Sequence, residues 1–537
     1  AVRTIDAPPE GVSRAFRNEF FDAANHRIAQ TTNLTLSCDV TGYTACSGFC
    51  TDLMVDPDNC GACGVPVPAT PPDLTCEGGT PTCPGGAKAC GGECVDTDTS
   101  VDHCGSCDLS CPSLGGTASC EAGSCKVDGC DTGRADCNND ASDGCEADLG
   151  VDAYRFSISW PRVMHADGKL NTKGCDFYLR LLDGLNENGI RAFATLYHWD
   201  LPQYLEDRGG WLNRDTAYRF QEYTDAVSRV LGESVFSWAT LNEPLCSAQL
   251  AYELGMHAPG FTDRAMAKQA AHHLLLSHGL GMQVLRQNCP NALNGIVLNL
   301  SPCHAASESH EDRAAAFRAD QDLNGWYAGP VLTGAYPDLI DQLPAHEAPD
   351  VQEGDMETIC QPLGFLGVNY YSRGVFRAAQ GALYEDVAVP GKPLTDMGWE
   401  IYPEGLVEVL EMLSDRYDLP PIYITENGAA MTDRIEGGAV EDSSRIRFFE
   451  QHLAALERAI AAGADVRGYF AWSLMDNFEW NHGYSKRFGL VRVDYETQQR
   501  SLKASGRAFR DMLRNRTSVA AIMAPYSGSP AVSYYTS

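Results

Sequence analysis

From Val151 onward the apolar residues fall into short blocks separated by stretches of helical spacing. The blocks at 152–159, 191–198, 236–243, 294–301, 364–371, 421–426 and 466–473 read as strands. The intervening stretches read as amphipathic helices. In 403–415, for example, Leu406, Val409, Leu410 and Leu413 recur at the spacing of one helix face. Strand and helix alternating in this way predict an α/β fold, a (β/α)8 TIM barrel, whose chemistry sits at the C-terminal strand ends. Seven of the eight strands are identifiable. An open barrel of seven exposes two strand edges, an invitation to domain swapping or aggregation. Asn33-Leu34-Thr35-Leu36-Ser37 alternates like a strand and is a candidate for the eighth place.

The cysteines change the picture of the first half. Of 22, seventeen lie between Cys38 and Cys145. The spacing Cys46-x3-Cys50-x9-Cys60-x2-Cys63 recurs as Cys90-x3-Cys94-x9-Cys104-x2-Cys107, an internal repeat. The segment is rich in Gly, Asp, Thr and Pro and poor in large apolar residues, so cross-links must supply its stability. Disulfides are favoured over zinc bound by the Cys-x2-Cys pairs, because so many other cysteines stand at spacings no metal site uses. Asp136 to Gly144 clusters oxygen ligands in the manner of a calcium loop, but departs from the EF-hand pattern and reads first as an Asx-rich turn. The resulting division is a tail at 1–37, a small disulfide-rich irregular domain at 38–148, a barrel at 149–515 and a tail at 516–537.

A formal net charge of −32 argues against nucleic-acid or anionic-membrane partners, which want a basic surface. A hydrophobic fraction of 44% supports a large core, and there is no apolar run of about 18 residues to span a membrane. No secretory leader is visible at Ala1-Val2-Arg3, which reads as a possible mature start.

Candidate chemistry lies at two strand ends. Phe236-Ser237-Trp238-Ala239 leads into Thr240-Leu241-Asn242-Glu243-Pro244, and Pro421-Ile422-Tyr423 leads into Ile424-Thr425-Glu426-Asn427-Gly428. Two carboxyl groups about 5–5.5 Å apart are what a retaining glycosidase needs, one as nucleophile and one as acid/base. Further motifs keep a fixed order: Tyr154 to Arg162, Leu196-Tyr197-His198-Trp199-Asp200-Leu201-Pro202, Phe365 to Tyr371, Gly398-Trp399-Glu400 to Gly405, Trp472 to Trp480, and Gly483 to Gly489.

On these motifs the chain from Val151 to about Leu513 resembles the family 1 glycoside hydrolases, the β-glucosidase family. The resemblance implies Glu426 as nucleophile and Glu243 as acid/base. Arg155 would be the cationic partner of Glu426, and Tyr371 a hydroxyl donor to it. Asn369 shares the face of Tyr371 two residues on, while Tyr370 points outward into packing. Asn242 would bind the sugar 2-hydroxyl. His198, Trp199, Glu479 and Trp480 match glycone-binding positions, Trp472 the sugar-stacking platform, and Trp399 flanks the aglycone site. Glu at 243, where the thioglucosidase branch has Gln, suits O-glycosides. Glu479-Trp480 suits a sugar without a 6-phosphate. No cofactor or metal is implied.

The expected activity is hydrolysis of β-glucosides or oligosaccharides, with β-galactosides or β-fucosides as further substrates; the sequence leaves the oligomeric state open. The family's missing first unit carries a strand ending in a glycone-binding Gln, which residues 1–150 do not match. Asp148-Leu149-Gly150 resembles the end of that unit's helix, so the two halves meet at a short joint. The cysteine repeats are similar to modules of secreted or surface proteins of myxobacteria and relatives, which implies an extracellular or cell-surface location. A second reading follows from the missing strand: a disulfide-rich surface or binding protein carrying a catalytically defective barrel.

Overall fold

A computed structural model describes residues 149–436 and 439–515, and, ahead of them, 44–46, 49–51, 60, 62, 75–77, 80–90, 93–111, 116–130, 134–135 and 146–147. The chain divides into two compact units, Ala1–Asp148 and Leu149–Ser537. Asn33–Ser37 and the oxygen-rich stretch 136–144 lie outside the described residues.

In the first unit, sulfur takes the place of an apolar core. Cys104, Cys111 and Cys120 are buried together, with Ala118 and Cys125 packed against them. Four disulfides are described: Cys83–Cys94, Cys90–Cys107, Cys104–Cys120 and Cys111–Cys125. The Cys104-x2-Cys107 pair therefore sends its two sulfurs to different partners and holds no zinc between them. The sulfurs of Cys104, Cys111 and Cys125 do cluster, but all three are oxidised and leave no thiolate for a metal. Between these bridges Gly116–Glu121 pairs antiparallel with Ser124–Cys130. The two-residue turn puts Ala122 at φ 49° and Gly123 at φ 74°, the left-handed pair that matches the twist of a hairpin.

The second unit holds seven parallel strands: β1 Ala153–Ser157, β2 Arg191–Tyr197, β3 Ser237–Asn242, β4 Leu293–Asn299, β5 Phe365–Asn369, β6 Ile422–Asn427 and β7 Val466–Ala471. They pair in chain order from β1 to β7, a nearly closed barrel. All seven lie within a residue or two of their expected positions. The helices α1 Thr172–Glu187, α2 Asp215–Leu231, α3 Arg264–Asn288, α4 His310–Asp320, α5 Trp326–Thr333, α6 Glu404–Arg416, α7 Ser443–Ala461 and α8 Ala504–Asn515 cover the outside. In α6 the stripe Leu406, Val409, Leu410 and Leu413 is buried, as its spacing predicts. Asp263 caps α3 by accepting the Met266 N–H, and Ser309 caps α4 through the Asp312 N–H.

Burial shows where the barrel is open. Every residue of β3, β5 and β6 is buried, whereas β1 and β7 contain no fully buried residue. They are the two ends of the strand order, and among the described residues each has a sheet neighbour on one side only.

The loop after β7 is long, and a buried charge network anchors it. Asp476 accepts hydrogen bonds from Lys503 (2.8 Å), Arg487 (2.5 Å) and the Gly489 N–H (3.0 Å). Arg445 on α7 donates to the carbonyls of Met431 and Arg487 and is ion-paired with Asp442. Gly428, just past β6, lies against the backbone of Trp472, and a Cβ there would stand 1.8 Å from the Trp472 carbonyl oxygen. Gly428→Ala is therefore expected to cost about 1–3 kcal/mol of stability, read as a lower urea midpoint; an unchanged midpoint would contradict this close approach.

Candidate active site

The C-terminal ends of the strands bring both Glu-bearing segments to one place. Glu243 follows β3, and Glu426 is the penultimate residue of β6. Both are almost fully buried. Hydrogen bonds tie them into one assembly through residues of β1, β3 and β5. Arg155 donates from one guanidinium nitrogen to Glu426 Oε1 (2.6 Å) and from the other to Asn242 Oδ1 (2.6 Å). Asn369 donates to Asn242 Oδ1 (3.1 Å) and to Glu243 Oε1 (2.6 Å). Its own carbonyl oxygen accepts from Thr425 (2.6 Å), which fixes the orientation of the amide. The Tyr371 hydroxyl donates to Glu426 Oε2 (2.7 Å). Tyr370, between these two, faces outward, buried, and donates to the Tyr402 carbonyl.

The two carboxyl groups differ in their surroundings. Glu426 has a cation and a phenol. Glu243 has no cation in contact, and its carboxyl is held well above the usual range, first by burial and second by the charge of Glu426. One feature the sequence did not signal is the thiol of Cys246, which donates to Glu243 Oε2 at 3.1 Å. Cys246 is buried, as a small apolar residue should be, but one helical turn after Glu243 it also meets the carboxyl.

Around this pair stand the expected aromatic residues. The ring of His198 stacks near Trp472 (6.1 Å) and Trp480 (6.0 Å), and Trp199 packs on Trp480 at 4.7 Å. His257 packs against both Trp199 and Trp480, an addition no motif announced. Trp199 donates its indole N–H to the Asn242 carbonyl, and Asn242 Nδ2 lies 3.3 Å from His198 Nε2. Burial and the nearby Arg155 charge push His198 down to about 3, so it is neutral. Trp399 sits on the other side, 5.2 Å from Tyr371. The carboxyl of Glu479 is raised to about 7 by burial and then by Glu426. The structure thus gathers all the expected residues at one end of the barrel.

Backbone strain is concentrated here. Trp199, Glu243 and Trp480 have φ of 76°, 47° and 41°, in the left-handed region that side-chain-bearing residues rarely occupy. Three such residues in one site indicate that the surrounding hydrogen bonds, rather than local preference, set the chain path.

A nearly closed parallel α/β barrel with two differently held carboxyl groups and a wall of Trp rings is the architecture of a retaining glycosidase. Residues 143–518 match the model of Glycosyl hydrolase family 1. The chain is 43% identical over 376 residues to Beta-glucosidase A of Acetivibrio thermocellus, covering 68% of this chain and 84% of that one. It is 45% identical to the Bifunctional beta-D-glucosidase/beta-D-fucosidase of Bifidobacterium breve, over 67% of this chain and 82% of the relative. Among solved structures, the family 1 β-glucosidase from Thermotoga maritima superposes with a TM-score of 0.66 at 42% identity, over 68% of this chain and 83% of that one. The chain belongs to glycosyl hydrolase family 1.

The raised carboxyl of Glu243 gives stability a definite pH dependence. Its folded form holds the proton more tightly than the unfolded chain, so its contribution to stability falls as pH rises from the ordinary Glu range towards the raised value. Glu243→Gln removes this loss. Its stability relative to the parent should grow through that window, by on the order of 2 kcal/mol, and then level off. Parallel denaturation profiles from pH 4 to 9 would contradict the assignment.

Proposed function

We propose that the chain hydrolyses terminal non-reducing β-D-glucosyl residues with retention of configuration, and accepts β-D-fucosides and β-D-galactosides as further substrates. The observation that carries the reading is the shared assembly of Glu243 and Glu426. Asn242 and Asn369 bind the two carboxyl groups together, while only Glu426 is paired with a cation.

In the first step Glu426 attacks the anomeric carbon, and Glu243 gives its proton to the departing glycosidic oxygen. The bond from the anomeric carbon to that oxygen breaks, and the sugar is left as an ester of Glu426. The charge of Glu426 is then gone, and with it one of the two causes that raise Glu243. Glu243 therefore becomes more acidic in the intermediate and takes a proton from the attacking water. The change of role follows from the placement of the two groups.

Asn242, already oriented by Arg155 and Asn369, serves the sugar 2-hydroxyl. Trp472 and Trp480 offer faces to the C–H side of the ring, and Glu479 and His198 offer hydrogen-bonding atoms to its hydroxyls. The name of the Bifidobacterium relative supports tolerance at the carbons where fucosides differ. Trp399 would border the aglycone. Disulfides ahead of the barrel support an extracellular or cell-surface location, because such bridges persist in oxidising compartments.

A second reading, a binding protein with a defective barrel, is favoured by one observation: no described strand pairs with the outer sides of β1 and β7. Hydrolysis of an aryl β-glucoside by the whole chain separates the two. Turnover is expected, and Glu426→Ala should lower kcat by on the order of 10^4-fold or more. In that variant azide should restore product as the α-glycosyl azide, since a small anion would occupy the vacated face. No turnover from folded parent protein would favour the second reading.

A further inference from the structure

The cleft between β1 and β7 meets the active site at one end, where Arg155, His198, Trp472 and Trp480 line it; the remainder has no part in the mechanism above. The cleft encloses about 750 Å3 and extends from Leu149 and Arg191 to His198 and Trp480 at the site. Its long walls are strand edges. On β1, alternate backbone groups serve β2: the Asp152 carbonyl accepts from Arg191 N–H, and Ile158 N–H donates to the Thr195 carbonyl. In a parallel ladder the intervening residues face the other way. The backbone groups of Ala153, Arg155 and Ser157 therefore face the cleft, and no described strand pairs with them.

The walls change character along their length. At the strand starts Asp152, Arg191 and Arg467 line a charged rim; within it the walls are apolar, with Phe193 and Phe470 in ring contact at 4.9 Å and Phe509 of α8 also in the lining. Towards the site they are polar, and Arg155 Nε and Asp200 Oδ1 are buried there without a hydrogen-bond partner.

We propose that this cleft is an acceptor site for one parallel β-strand of a separate polypeptide, namely a family 1 first β/α unit supplied in trans. Both edges run in the same direction, so one strand lying between them pairs with both in the same sense, and a strand parallel to both continues the all-parallel order of the barrel. A second copy of this chain related by a two-fold axis would meet one edge antiparallel and leave the other open. The five residues of β1 call for a strand of about 5–6 residues. That strand must be apolar on both faces along its middle and hydrogen-bonding at its end. The family match begins at residue 143, close ahead of β1, while the relatives extend beyond the matched part of their own length. The acceptor site stands on the strand edges alone; its effect on turnover rests on the β-glucosidase reading.

The probe is a fluorescent peptide spanning the first β/α unit of the Thermotoga maritima β-glucosidase, added to the full chain. Anisotropy should show saturable binding at one peptide per chain, absent for a scrambled peptide. At saturation kcat/KM for an aryl β-glucoside should rise at least tenfold. Ala153→Pro removes one cleft-facing N–H at a position where an edge strand tolerates proline. It should keep the circular dichroism and basal turnover of the parent and bind the peptide at least tenfold more weakly. Binding without any turnover would support the acceptor site and overturn the β-glucosidase reading. Turnover without saturable binding, or equal binding of the scrambled peptide or by the Ala153→Pro variant, would overturn the acceptor site.

Discussion

The site depends on the placement of one buried cation. Arg155 is only 8% exposed and its partner Glu426 only 5%, so the pair is withdrawn from water and each charge relies on the other. The second guanidinium nitrogen is taken by Asn242, whose oxygen also accepts from Asn369, which in turn holds Glu243. One chain of hydrogen bonds, charge-assisted where Arg155 donates, thus links β1, β3, β5 and β6 at their C-terminal ends. The loss of any member leaves a neighbour buried and unpaired, a larger cost than the net value of the contact itself.

The same assembly gives two chemically identical side chains different behaviour. Arg155 contacts Glu426 directly and reaches Glu243 only at a distance. Asn369 and Cys246 give Glu243 hydrogen bonds that carry no full charge, and these do not offset burial. The division between a carboxyl group paired with a cation and one raised by burial therefore comes from which strand each residue ends. Glu479 is likewise raised, first by burial and then by the charge of Glu426.

Much of this was legible in the sequence, because the signals are local. Strand positions followed from apolar blocks bounded by turn residues, and α6 followed from its buried stripe. The Glu243 and Glu426 segments were readable because each carboxyl closes an apolar run. The outward turn of Tyr370 followed from strand alternation between Asn369 and Tyr371. What stayed hidden was set by tertiary context. The thiol of Cys246 meets Glu243 only because the chain turns after Pro244, and a lone Cys carries no sign of it. The left-handed backbone of Trp199, Glu243 and Trp480 opposes residue preference, so no propensity argument reaches it. His257 lies far in sequence from Trp480 and joins the aromatic wall through the fold alone. Disulfide partners were equally unreadable: within the second repeat Cys90 closes on Cys107, but Cys94 and Cys104 leave for Cys83 and Cys120.

The gap in the strand order was legible in the sequence, and among the described residues no strand lies between β1 and β7. β1 carries Arg155, and β1 is also an edge, supported by β2 on one side and open to the cleft on the other. The cation that organises both carboxyl groups therefore stands on one of the two least buried strands of the barrel. Its Nε, turned towards the cleft, is the one guanidinium nitrogen left without a partner. An edge strand with half its backbone groups unpaired opens more readily than an interior one. Each such opening loosens the Arg155 contact with Glu426 and admits water beside a site that works by excluding it. Closing the barrel and fixing Glu426 are, in this chain, the same physical event.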